Sequence, residues 1–104
     1  MTPFDLIEQA MKFSGYRAAV LASDAANTGT PGFVPRDVAP VAQPSEGGLR
    51  FAAEMREVDV GGPVASVEYA MGAMAKNSVW YRALAAQARA MLREFRTVAE
   101  ESRR

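Results

Sequence analysis

Chemistry in a small chain starts with its ionisable and nucleophilic side chains, and here the carboxylates to weigh are Glu54 with Glu57, and Asp59 nearby. Two carboxylates at short spacing are what a general acid and a general base require, provided that neighbours push their pKa values apart. Nothing in the sequence completes such a site. The chain has 0 His and 0 Cys, which removes the commonest general base, the thiol nucleophile and the two commonest soft metal ligands. Gly47-Gly48 and Gly61-Gly62 lack the strand-to-helix context and the Lys that a phosphate cradle needs. The acidic group therefore reads as charge on a solvated loop. No catalytic, cofactor-binding or metal-binding residue is expected, and no small-molecule substrate.

Composition narrows the partners further. The 12 basic and 12 acidic residues cancel, so no global field draws nucleic acid or an acidic membrane to the chain. At 104 residues there is room for one domain whose core is marginal on its own, and a partner or oligomer is expected to supply the remaining burial. The opening Met1-Thr2-Pro3-Phe4-Asp5 has an acid where a secretory leader has basic residues, and no apolar run is long enough to cross a bilayer. A soluble chain is expected, with any exit from the cytoplasm by another route. Without Cys the redox compartment stays open.

What remains is helical patterning. Thr2, Pro3 and Asp5 provide a capping oxygen, a proline where a missing N–H costs nothing and a carboxylate at the positive end of a helix dipole, which predicts a helix over residues 3–26. Its apolar seam runs Phe4, Ile7, Met11, Ala18, Leu21 and Ala25, with Ser14 in the one polar slot. A second helix is predicted from the Gly61-Gly62-Pro63 break, over residues 64–101. Its seam, Val67, Ala70, Met74, Asn77, Tyr81, Leu84, Ala88, Met91, Phe95 and Val98, alternates steps of three and four for about 48 Å. Met71, Ala85 and Leu92 widen that stripe toward a second neighbour. Tyr81 reads as core, and Asn77 as a register-setting polar contact or a residue at the seam's edge. The arginines from Arg82 onward read as a solvated face favoured near the negative end of the dipole.

Residues 27–63 differ in texture, holding five of the 6 prolines and six of the 8 glycines. Helix cannot continue through them. Residues 48–60 suit either a short strand or a turn or two of helix. The fold expected as a whole is all-α: two long helices in a coiled-coil-like hairpin, joined by a Pro/Gly-rich irregular segment that faces the surface and orders on assembly.

The joint between helix and linker is the most specific stretch. Asn27 suits a helix exit, Pro31 the first central position of a turn, and Gly32 the positive φ that a type II turn demands next. Residues 19–33, Ala-Val-Leu-Ala-Ser-Asp-Ala-Ala-Asn-Thr-Gly-Thr-Pro-Gly-Phe, resemble the signature of the flagellar basal-body rod proteins, a helix ending in ASN-x-AN-xx-TPG-aromatic. Asn27, Thr30, Pro31, Gly32 and Phe33 fall on its positions. The run from Val67 to Tyr81 is similar to the last helix of the FlgB-type proximal rod proteins, with Asn77 and Tyr81 on the two most recognisable places. Asp24 stands where the signature has Asn, Gly29 and Ala70 stand where acids are common, and the middle is compressed.

The resemblance implies a structural subunit of the proximal rod, without catalysis or cofactors. It would associate with itself and with other rod and basal-body subunits and contribute to motility. Its route would be the flagellar type III export apparatus, without a cleavable signal peptide, and its location the periplasmic rod. The assembly seam would comprise Phe4, Ile7, Met11, Leu21, Val67, Met74, Leu84, Met91 and Phe95. The alternative is a small helical adaptor that grips a single partner helix with the same stripe.

Overall fold

A computed structural model describes residues 2–46 and 48–103. The chain runs helix α1 (Pro3–Ala26), strand β1 (Arg36–Ser45), strand β2 (Gly48–Glu57) and helix α2 (Pro63–Glu101). Both helices begin as their sequences dictate. The Thr2 hydroxyl accepts from the Asp5 N–H while the Asp5 carboxylate accepts from the Thr2 N–H, both at 3.1 Å, so two of the orphan donors of the first turn are satisfied reciprocally. Before α2, Gly61 and Gly62 take φ of 80° and 141°, conformations a Cβ would strain, and Pro63 opens the helix.

The all-α expectation is wrong. Residues 36–57 form a two-stranded antiparallel sheet paired without interruption from Arg36↔Glu57 to Ser45↔Gly48, so the fold is mixed α and β. The linker boundaries 27–63 thus enclose ordered structure, and of the two readings of residues 48–60 the strand is the one adopted. Pro40 and Pro44 are the reason the first strand escapes a sequence reading. In a hairpin closed by two residues the pair flanking the loop is hydrogen-bonded, and bonded and non-bonded pairs then alternate. The bond from Val58 N–H to Pro35 C=O, 2.9 Å, continues the same parity. Both prolines therefore occupy positions whose N–H would point away from β2, where a missing donor costs no ladder bond.

The helices pair antiparallel, with Phe4, Ile7 and Met11 near Tyr81 and Ala88 and the hairpin packed beside α1. Small residues line the crossing: Ser14, Ser66, Ala70, Ala73 and Asn77 are all buried. Such a crossing brings backbones close but removes little apolar surface. The consequence is a thin, elongated molecule of 65 × 29 × 15 Å. Its radius of gyration is 18.0 Å, against about 13 Å for a compact chain of this length. It exposes 7400 Å², where a folded monomer of its mass exposes about 5,700 Å². Leu21 is the only large apolar side chain with 0% exposure among the described residues.

Candidate functional site

The site is built where α1, β1 and the first half of α2 meet, and where the stripe on α2 then runs on alone. On α1, Ser14 is fully buried. Its hydroxyl donates to Asn77 Oδ1 and its carbonyl accepts from Asn77 Nδ2, both at 2.9 Å. The polar slots of the two seams thus face each other. Of the two readings left open for Asn77, the register-setting contact matches this geometry, since sliding either helix by one turn would bury two unpaired polar groups.

One turn further along α1, Arg17 forks onto Asp37 of β1, with Nε to Oδ1 and Nη2 to Oδ2 both 2.9 Å. Asp37 also accepts from the Tyr69 hydroxyl of α2 and, at 2.7 Å, from the Val38 N–H. Burial pushes the Asp37 carboxyl up, but the bonds from Arg17, Tyr69 and Val38, with the guanidinium charge, outweigh it and hold the group below its ordinary value. Burial, followed by the bond to Asp37, raises the Tyr69 hydroxyl. This triad ties α1, β1 and α2 together. Its residues are spent on each other, so the arrangement is a clamp with no free base or nucleophile.

Asp24, the departure from the resembled signature, closes the other side of the junction. Its Oδ1 accepts the Arg36 N–H at 3.0 Å, while its Oδ2 is buried with no hydrogen-bond partner among the described residues. Desolvation dominates and raises its pKa, with the nearby Asp37 charge acting in the same direction against the help of Arg36.

At the helix exit the Asn27 amide donates to the Ser23 carbonyl at 2.8 Å and its Oδ1 accepts from the Thr30 hydroxyl at 3.2 Å. Asn27 itself keeps a negative φ of −106°. The left-handed backbone is carried by Gly32, φ 77°, with the Phe33 N–H closing the turn on the Thr30 carbonyl at 3.1 Å. Pro31 and Gly32 thus hold the two central places of a type II turn, and Phe33 is left half-buried beside it.

No family model, curated protein or solved structure matches the chain.

The remaining seam residues divide by what α1 can cover. Phe4, Ile7, Met11, Val67, Leu84 and Met91 are half-buried, Leu21 is buried, and Met74 lies at the exposed margin. Ala18 is exposed, its place on the inner face taken by Arg17. Tyr81, expected in the core, is 42% exposed. α2 has 39 residues and α1 has 24, so the stripe outruns its cover. Past Met91 the same face presents Leu92, Phe95 and Val98, 50%, 63% and 59% exposed. A second apolar surface lies on the flank, a groove of about 540 Å³ lined by Leu6, Ile7, Phe13, Pro40, Trp80 and Leu84 among others. Among the described residues no acidic cluster is arranged to hold a metal ion, and no helix is long and apolar enough to cross a membrane. What these surfaces offer is exposed apolar area rather than reactive groups.

Proposed function

We propose that the chain is a structural, non-catalytic subunit of the bacterial flagellar proximal rod, built into a helical assembly by its two helices. The observation that carries the assembly half of this reading is the bare continuation of the α2 stripe. A helix end that keeps its seam for two turns beyond its partner, on a molecule with one fully buried large apolar side chain among the described residues, has its missing core elsewhere. The rod half rests on the two-part resemblance. Its residues have definite work here: Asn27, Thr30, Pro31 and Gly32 turn the chain out of α1, and Asn77 sets the helix register. Other rod and basal-body subunits and further copies of the chain are the partners on this reading, the periplasmic rod its location and the type III apparatus its route.

The test is made in flagellated cells that carry the gene and no second, redundant copy of it. A photo-cross-linking residue in place of Phe95 should give adducts with basal-body subunits, and deletion of the gene should abolish motility. Intact motility would overturn the reading. A single stoichiometric adduct with a non-flagellar protein would replace it with the adaptor alternative.

A further inference from the structure

The two outer edges of the hairpin are unlike. On β1 the outward positions are Arg36, Val38, Pro40, Ala42 and Pro44, by the parity that the Val58 to Pro35 bond fixes. The Arg36 N–H is held by Asp24 and the Val38 N–H by Asp37, while the prolines have none to offer, so Ala42 is the one amide left on that edge. On β2 the outward positions are Leu49, Phe51, Ala53, Met55 and Glu57. Every one has an N–H, and among the described residues no backbone bond reaches them from outside the hairpin. β1 is closed against another strand in the ways natural sheets close their edges, and β2 is open.

We propose that the open edge of β2 pairs antiparallel with β2 of a second copy, across a two-fold axis at Ala52, giving a four-stranded sheet. The strand's own charges, together with the length of strand that can pair, choose the occupant and the register. Outward residues must bond outward residues, so the axis falls on a single residue. Placing it on Ala53 sets Arg50 opposite Arg56 of the other copy, and placing it on Glu54 sets that carboxylate against its own copy; an axis on Phe51 gives neither Arg50 nor Glu54 an opposite charge, and one on Met55 sets Glu54 opposite Arg56 but leaves only residues 53–57 of each strand paired. On Ala52, Arg50 faces Glu54 of the other copy at both ends, in the non-bonded pairs where side chains lie closest. The same register sets Phe51 against Ala53 and Leu49 against Met55. Within one chain Arg50 lies opposite Gln43 and Glu54 opposite Ala39, so neither charge has an opposite number on β1, and Glu54 has only a long, exposed contact of 3.8 Å to Arg56 of its own strand. Arg50, Ala53, Glu54, Met55 and Arg56 are all exposed. Because β1 is closed, pairing stops at four strands and does not run on into a fibre. A two-fold pair closes on itself and cannot propagate along a polar tube, so this dimer is a state of the chain before assembly, and its test stands apart from that of the rod.

The experiment uses the purified full chain, whose lack of Cys makes an introduced thiol unambiguous. Ala52→Cys places two thiols across the axis and should give a covalent dimer under mild oxidation, whereas Ala53→Cys, on the other face and off the axis, should not. By sedimentation, Arg50→Glu and Glu54→Arg should each weaken the dimer about tenfold or more, and the double exchange should restore it. Amide exchange separates pairing from misfolding: Ala53 and Met55 should be protected in the wild type and exposed in Arg50→Glu, with Ala39 and Val41 protected in both. A monomer at about 100 μM, or a cross-link indifferent to the charge exchange, overturns the proposal.

Discussion

Ser14 and Asn77, 63 positions apart in sequence, exchange hydrogen bonds in both directions at the crossing of α1 and α2. Each sits in the polar slot of an otherwise apolar seam, and neither has water to fall back on. The pair fixes which turn of one helix meets which turn of the other, while the alanines around it contribute close approach and little burial.

Asn77→Ala is therefore expected to cost about 2 kcal/mol, because it strands the buried Ser14 hydroxyl as well as removing its own bonds. Ser14→Ala alone should cost a comparable amount. The double variant should cost clearly less than the sum, with a coupling energy on the order of 1 kcal/mol in urea unfolding. Additive losses would mean that the two residues act independently.

The clamp at Asp37 has a pH signature. The folded-state pKa of Asp37 lies below its ordinary value of 3.8, so the folded state holds fewer protons there than the unfolded state. Stability from this group is complete above 3.8 and is lost as pH falls through the lower folded value. Asp37→Ala should remove that part of the acid slope. It should also cost about 3 kcal/mol at neutral pH, since Arg17, Tyr69 and the Val38 N–H lose their acceptor together. An unchanged acid limb in thermal melts would show that the clamp does not hold the fold.

Helix ends and seams were legible in the sequence because their signals are local: Thr2 and Asp5 cap one helix, Gly61-Gly62-Pro63 opens the other, and Gly32 bends the chain between. The hairpin was not, because Pro40 and Pro44 read as breakers until a partner strand decides which way their missing donors point. Their spacing of four, which keeps both on the same edge, was the usable signal. The clamp was beyond reach, since Arg17, Asp37 and Tyr69 lie 20 and 32 positions apart on three elements. The seam of α2 placed Tyr81 and Phe95 on one apolar stripe, with Tyr81 read as core, but not where α1 would stop covering them.

Phe95 separates folding from assembly. At 63% exposure it contributes little inside one chain, so Phe95→Ser should change monomer stability by less than about 0.5 kcal/mol. On the proposed rod function it should nevertheless block incorporation into the basal body in flagellated cells, read as loss of motility with normal protein levels. A large loss of monomer stability would place Phe95 in an internal core and remove the argument for a missing partner.

Asp24 behaves in the opposite sense to Asp37. Its folded pKa is raised above 3.8 by burial, so the folded state takes up a proton first as pH falls, and the cost of holding the charge is present at neutral pH and relieved below the raised value. Asp24→Asn keeps the acceptor for the Arg36 N–H and removes the charge from the unpartnered Oδ2. It should stabilise the chain by about 1 kcal/mol at pH 7, and the gain should shrink as the wild type becomes protonated, vanishing by roughly pH 3.8. Paired thermal melts across that range measure the difference directly. A variant less stable than wild type at pH 7 would mean that the second oxygen has a partner whose loss outweighs the relief of charge.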